Sequence, residues 1–387
     1  MRDYYCSNKF KFLKIDLERA ITYNCHAAQP HNINLDWLRQ NPGQLFNSPI
    51  SVNERSMMLR NERNSSCEQN CWPAEDKGQI SVRMLEDGVT RTHHKIYSFP
   101  EILDITLDTD CNLKCVYCCK EYSSAWRQEL EKFGSYNLIG ADDIQNRYSL
   151  NQKDRVIQLF GQRQKQDTAG FKTICSEIEM MVPKLKAVII TGGEPFLSSQ
   201  LITILNLVKS VPKIKLFTSL GVKNSRVKKL LDQISIYSNL FLAISAESQG
   251  TAYNFLRYGN SYEDFERNLQ DVIQSKIKFQ FHSSVTNLGL ESFFDFYQNF
   301  LSYNIDTDFV YTPNFLAVNV LDLETKKRIE EKCLARSFPI FQKIQQSISA
   351  TPSEDQRHNL KVFLNELLMR RKIDLNFISK DLLNWLE

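Results

Sequence analysis

The sequence predicts an α/β fold in which strand–helix units build a parallel sheet, and three observations carry that expectation. Between residues 100 and 315, short apolar runs alternate with segments whose apolar residues recur at helical spacing. The first two runs each lead into a turn dense in chemistry-bearing residues, one rich in cysteine and one in glycine. Strand ends are where a βα architecture places its active site. An apolar fraction of 42% over 387 residues supports a substantial core.

The elements follow in chain order. Residues 1–95 hold Cys6, Cys25, Cys67 and Cys71. The strand-like runs are Glu101–Asp108, Ala187–Ile190, Ile214–Ser219, Leu240–Ser245, Phe279–Val285 and Phe309–Thr312, six in all. Amphipathic segments separate them at Gln200–Ser210, Ser225–Ile234, Tyr262–Ser275 and Leu290–Ser302. The first connection runs from Cys119 to about Lys184, longer than a βα link requires, and marks an insertion at about 120–180 with Trp126, Phe133, Tyr136 and Tyr148. It reads either as a cover for substrate or as a helical decoration that packs its aromatics on the sheet domain. After Thr312 the pattern turns helical, over Leu321–Lys332 and Asn359–Met369, and Leu375–Leu386 continues it with an apolar face expected to dock on the barrel, with a partner as the alternative. Three regions result, 1–95, 96–315 and 316–387.

Charge and composition exclude more than they assign. With 48 basic and 45 acidic residues the net charge is +3, which gives no general case for nucleic acid or an anionic membrane surface. No stretch approaches the roughly 20 apolar residues of a membrane span, and Met1-Arg2-Asp3-Tyr4-Tyr5-Cys6 lacks the apolar core of a signal peptide. A cytoplasmic protein is expected. Ten cysteines in a reducing compartment point to metal or cluster ligation instead of disulfides.

The sharpest signal is Cys111-Asn112-Leu113-Lys114-Cys115-Val116-Tyr117-Cys118, a C-x3-C-x2-C spacing with an aromatic before the last cysteine. Three thiolates at this spacing can hold three irons of a [4Fe-4S] cluster and leave the fourth iron open to a ligand. The spacing alone also admits a zinc site or buried thiols. Thr191-Gly192-Gly193-Glu194-Pro195 follows the second apolar run. Together the two motifs resemble those of the radical S-adenosylmethionine (SAM) superfamily. That resemblance implies a partial (β/α)6 barrel with an open lateral mouth. It implies that Cys111, Cys115 and Cys118 bind the cluster, that Tyr117 is the aromatic before the third ligand, and that Gly192, Gly193 and Glu194 receive the methionine amino group of SAM. In the family, SAM chelates the open iron and is cleaved reductively to methionine and a 5'-deoxyadenosyl radical, which takes hydrogen from a substrate.

Later strand ends extend the candidate list. Ser219 closes the third run, and Ser245-Ala246-Glu247-Ser248 closes the fourth. In the family a polar or acidic residue there contacts the ribose of SAM, so Ser219, Ser245 and Glu247 are expected to bind cofactor; ordinary strand-end capping is the other reading. Val285-Thr286-Asn287-Leu288 carries a weak adenine-pocket signal, and His282 reads as a core or lumen histidine. Cys119 is either a hydrogen-atom donor or a spare thiol.

The N-terminal cysteines resemble the ligands of the twitch and SPASM-like modules of the same superfamily, which bind an auxiliary iron–sulfur cluster, here placed before the barrel. Cys6, Cys25, Cys67 and Cys71 could fill one [4Fe-4S] site, although intervals of 19 and 42 residues and a C-x3-C pair depart from the usual local motif. A tetrahedral zinc site has the same appearance, and His26 is a substitute ligand. Cys175 and Cys333 read as structural thiols. The resemblance favours a ribosomally synthesised peptide as substrate, modified by crosslinking, thioether formation, epimerisation or backbone excision. A nucleoside, sugar or small metabolite is the alternative, and a noncatalytic iron–sulfur or zinc module a third. A reductant such as flavodoxin or ferredoxin and a separate leader-peptide-binding protein are the expected partners.

Overall fold

The computed structural model describes residues 3–25, 27–68, 70–85, 89–90, 95–140, 147–149, 168–336, 338–373, 378 and 380–386. His26, much of the 120–180 insertion and most of 374–379 lie outside them. The strands are β1 Phe12–Asp16, β2 Ile21–Tyr23, β3 His31–Asn32, β4 Ile102–Thr106, β5 Ala187–Thr191, β6 Ile214–Thr218, β7 Leu240–Ser245, β8 Phe279–Val285 and β9 Ile305–Phe309. They form one sheet in the order β3-β2-β1-β4-β5-β6-β7-β8-β9. Pairing is parallel for β1 with β4, β4 with β5 and β5 with β6, and again for β7 with β8 and β8 with β9. The strands β2 and β3 continue the β1 edge as antiparallel neighbours. From β4 to β9 the chain follows the strand and helix order of a six-unit βα fold, as expected.

The chain divides into two compact units. The first comprises Met1–Asp108, Phe160–Phe217 and Gln233–Phe241. Its strands β4 and β5 bury Leu103, Ile105, Val188 and Ile190 completely; these alternate positions share one face, while Asp104, Thr106, Ile189 and Thr191 alternate with them. Helix Leu201–Val208 turns Leu201, Ile204, Leu205 and Val208 inward, the one-sided stripe that helical spacing dictates. The segment before β4 contributes more than a cysteine-bearing appendage, because β1 pairs with β4 over five residues, Phe12 with Ile102 through Asp16 with Thr106.

The second unit comprises Thr109–Leu159, Thr218–Asp232 and Leu242–Glu387. Helix Tyr262–Ser275 begins where the Ser261 hydroxyl accepts the Asp264 amide and ends at Lys276 in the left-handed region at φ 60°. One strand is displaced from its expected place. The run Phe309–Thr312 was the apolar signal, whereas β9 is Ile305–Phe309, whose Asp306 and Asp308 face solvent and dilute that signal. The C-terminal helices are Leu323–Leu334, Pro339–Ile348, Glu354–Arg371 and Lys380–Leu386. The second of these is additional to the expected set. It starts on Pro339 and buries Phe341, Ile344 and Ile348. Of the insertion's aromatics, Trp126, Tyr136 and Tyr148 are buried and pack on one another and on Phe363 of helix Glu354–Arg371, while Phe133 stays exposed. Among the described residues no helix is long and apolar enough to cross a membrane.

Candidate active site

The cysteine loop leaves the carboxyl end of β4 and is braced on every side by its own unit. The Cys111 amide donates to the Ser124 hydroxyl at 3.0 Å, and that hydroxyl donates back to the Cys111 carbonyl at 3.1 Å. The indole N–H of Trp126 donates to the Cys115 carbonyl at 2.9 Å, and the Tyr148 hydroxyl donates to the Cys118 carbonyl at 3.2 Å. The Lys114 amide donates to Tyr258 O at 2.7 Å and the Val116 amide to Leu256 O at 2.9 Å. These are main-chain restraints, so the loop keeps its shape whatever its thiols bind.

The thiols themselves converge. Burial pushes Cys118 well above the ordinary thiol range, and the neighbouring Cys119, Cys115 and Cys111 push it the same way. Burial also raises Cys115, against the pull of the Arg257 guanidinium. Crowded protonated thiols of this kind become good ligands when a cationic centre replaces their protons. The Leu113 amide already points at Cys111 Sγ, 3.4 Å away, in the N–H to sulfur geometry that favours a thiolate. No group of three or more His, Cys, Asp or Glu among the described residues could hold a metal ion. A four-iron cluster asks for a different arrangement, because each thiolate binds a separate iron and the sulfurs stand further apart than around one ion. Three thiols on one braced loop match in number the protein donors such a cluster takes when one iron is left open.

In the first unit the glycine-rich turn is tied to the end of β4. Leu107 donates its amide to Thr191 O at 3.0 Å and Gly193 donates to Asp108 O at 2.8 Å. A Cβ on Gly192 would lie 3.1 Å from that same Asp108 carbonyl, so the backbone approaches here as only glycine allows without displacement. Glu194 is buried, and its carboxylate accepts the Phe196 amide at 3.0 Å, which turns the chain into the next segment.

The later strand ends divide in character. Ser219 is turned back on its own loop, its hydroxyl accepting the Gly221 amide at 3.1 Å. Gly221 in turn lies against Leu113 of the cysteine loop, and its carbonyl accepts the Asn112 amide group at 2.5 Å. Ser245 ends β7 half-buried, and the buried Ser248 hydroxyl has no hydrogen-bond partner among the described residues. Glu247 is 1% exposed and fully engaged on one oxygen, which accepts Arg257 Nη2 at 2.6 Å and Nε at 3.2 Å. The Tyr117 hydroxyl reaches the same carboxylate at 3.4 Å. Arg257 lacks any local sequence signature, and reading the sequence did not find it. Gly259 is a second such residue, at φ +117°, where a Cβ would sit 2.5 Å from Asn112 O.

The N-terminal cysteines gather inside the first unit. Cys6, Cys67 and Cys71 share one buried cluster with Tyr5, Phe10, Met58 and Trp72. Burial pushes Cys67 up to about 11, opposed by Lys9 and assisted by Cys6 and Cys71. Cys25 is buried too and acts on the Lys9 ammonium together with Cys67. Lys9 is 1% exposed; it donates to Glu54 and to Ser66, each at 2.7 Å. All ten cysteines are free thiols. His282, at the register position of Asp306, lies 3.5 Å from that carboxylate and 3.6 Å from Asp308; on its other side it pairs with Ser245, and its carbonyl accepts the Ala246 amide at 3.2 Å.

No known family profile matches the chain, and no curated protein does. Among solved structures, native anSMEcpe with bound AdoMet and Kp18Cys peptide is similar at 16% identity and a TM-score of 0.34, covering 54% of this chain and 51% of that one. Streptococcus suis SuiB bound to precursor peptide SuiA has 11% identity, a TM-score of 0.36, and covers 95% and 71%. TYW1 with a lysine-pyruvate adduct has 15% identity, a TM-score of 0.31, and covers 66% and 77%. The chain spans about half the length of the first of these. At such scores they are weak likenesses.

Proposed function

We propose that this chain is a radical SAM enzyme. The convergence of Cys111, Cys115 and Cys118 on a rigidly braced loop carries the proposal. That loop leaves β4, and the adjacent parallel strand β5 ends in a Gly192–Glu194 turn where a side chain at the first position would press on the Asp108 carbonyl, its Cβ 3.1 Å away. Cys111, Cys115 and Cys118 would hold a [4Fe-4S] cluster, and Gly192, Gly193 and Glu194 the amino group of SAM. Ser219, Ser245 and Glu247 belong to the ribose side, where the unpartnered Ser248 hydroxyl offers a further contact. When bound, cluster and SAM supply a 5'-deoxyadenosyl radical that removes hydrogen from substrate. The protein's own contribution is placement: Trp126 and Tyr148 fix the loop carbonyls, and Tyr117 is held between loop and Glu247.

The proposal extends to an auxiliary [4Fe-4S] cluster on Cys6, Cys25, Cys67 and Cys71, in a cysteine-bearing segment at 1–95 that precedes the barrel at 96–315 and the helical extension at 316–387. Its support is the burial of the four thiols in the first unit, three of which, Cys6, Cys25 and Cys67, lie close enough to interact with the Lys9 ammonium. The substrate proposed is a ribosomally synthesised peptide, with a flavodoxin or ferredoxin as reductant, a separate leader-binding protein, and a cytoplasmic setting for the reduced thiols.

The test is anaerobic reconstitution with measurement of iron, sulfide and SAM cleavage. The expected wild-type content is about eight irons per chain, two four-iron clusters. Cys115→Ala should abolish SAM cleavage, and retained cleavage sinks the central assignment. Cys67→Ala should lower iron while cleavage persists; unchanged iron removes the auxiliary site. Deuterium transfer from labelled peptide into 5'-deoxyadenosine supports a peptide substrate, whereas transfer only from a nucleoside or sugar replaces it.

A further inference from the structure

We propose that Arg257 and Glu247 form a buried charge pair that positions the Cys115–Tyr117 segment and sets the reduction potential of the cluster held there, an inference that rests on the function proposed above. The geometry is specific. Residues 256–258 run alongside the cysteine loop, accepting the Val116 amide through Leu256 O and the Lys114 amide through Tyr258 O, at 2.9 and 2.7 Å. These two bonds straddle Cys115, and Arg257 is the residue between the two acceptors. Its guanidinium lies 5.7 Å from the centre of the Tyr117 ring and ion-pairs with Glu247 at 2.6 Å, with both side chains under 5% exposed.

Such a pair is costly to bury, and apolar residues of similar volume would fill the space at least as stably. Its placement suggests a use for the charges themselves. A guanidinium and a carboxylate this close to a cluster ligand act through a low-dielectric interior, where a single unpaired charge is weakly screened. Net charge and hydrogen bonding near the sulfurs are among the protein's means of setting a cluster's potential. Reduction adds one electron to the cluster. A positive neighbour favours the reduced state and a negative neighbour disfavours it.

Opposite shifts from the two partners are therefore expected, which a loss of packing would not produce. Glu247→Gln leaves the guanidinium unopposed and should raise the potential. Arg257→Gln leaves the carboxylate unopposed and should lower it. The neutral Glu247→Gln/Arg257→Gln double variant should return toward wild type, and Arg257→Lys, which keeps the charge, should stay near it. Each single shift should be at least tenfold in the reduction equilibrium, 59 mV for a one-electron couple.

The measurement is a redox titration of the reconstituted protein, followed by electron paramagnetic resonance of the reduced cluster, in a background in which Cys67 and Cys71 are alanine. Potentials that do not move, or that move the same way in both single variants, overturn the pair's role. If Arg257→Gln does not assemble a cluster, the comparison of Glu247→Gln with the double variant and with Arg257→Lys decides, since a charge effect requires the first alone to rise. A wild-type protein that assembles no cluster at Cys111, Cys115 and Cys118 refutes the proposed function instead.

Discussion

Gly259 and Gly192 show how single residues shape the cysteine loop and the glycine-rich turn. Gly259 combines φ +117° with a Cβ position 2.5 Å from Asn112 O, so alanine there meets both strain and a backbone collision. Gly78, at φ +71° with nothing within 4 Å of its Cβ position, has only the conformational term. Gly259→Ala should cost about 3 kcal/mol and reduce iron content, against about 1 kcal/mol and no iron loss for Gly78→Ala. Urea unfolding and iron analysis of the two variants check this; equal costs would mean that the contact with Asn112 relaxes freely. The thiols and the Gly192 turn were legible in the sequence because their chemistry demands fixed local spacing. Arg257, Glu129 and Arg371 were not, because a buried charge is recognised by its partner, and those partners are distant along the chain.

Glu54 supplies a second prediction at this scale. Burial raises its pKa, but Lys9 and His31 overcome that and hold the carboxylate well below its usual range. A depressed folded pKa contributes stability above the unfolded value, about 4.3, and that contribution is lost as pH falls toward the folded value. Unfolding free energy should therefore drop below about pH 5, and Glu54→Gln should flatten that acid limb while lowering stability at pH 7. A variant with the wild-type slope between pH 5 and 3 would show that Glu54 is not a main contributor.

At the scale of elements, helix Glu354–Arg371 reaches the cysteine loop through its last residue. Arg371 ion-pairs with the buried Glu129 at 3.0 Å, donates to Lys114 O at 2.9 Å and stacks over Trp126, whose indole holds the Cys115 carbonyl. Arg371→Met leaves Glu129 to the Lys114 ammonium at 2.6 Å and the Tyr136 hydroxyl at 3.0 Å, and should cost about 3 kcal/mol. Adding Glu129→Gln should recover part of it, with a coupling energy of about 1 kcal/mol or more. A coupling near zero in urea unfolding would separate the helix from the loop. The helix itself was visible as an apolar repeat, and its function as a brace was not. Strand β9 was misplaced for a related reason, since a half-exposed strand with Asp306 and Asp308 lacks the apolar run that marks a buried one. Strands β1 to β3 leave little trace in the sequence because they are only five, three and two residues long, too short for an alternating pattern to show, although Leu13 and Ile15 are wholly buried.

For the molecule as a whole, the sheet must end somewhere, and its last strand carries alternating charge. Among the described residues β9 has β8 on one side only, and its Asp306 and Asp308 are exposed. Charged edge strands discourage pairing between molecules. Asp306→Val/Asp308→Val should raise light scattering during refolding without changing the sheet content seen by circular dichroism; an unchanged scattering trace would show that the edge is protected by other means. The βα order of the central residues was evident from periodicity alone. The participation of the first hundred residues in the same sheet was not, because the partners of β1 and β4 lie far apart in the chain.

That pairing has a consequence for biosynthesis. Phe12 is hydrogen-bonded beside Ile102, so β1 leaves the ribosome 90 residues ahead of the strand that completes it. At translation rates of roughly 5–20 residues per second the interval is about 5 to 18 s. Cys6 and Cys25 are present for most of that interval, and all four thiols, once Cys71 is made, for its last 31 residues, about 2 to 6 s, before the β4 strand that will flank their segment emerges. Any factor that loads or protects those cysteines has this window in which to act on a nascent chain, before the parallel pair closes over it.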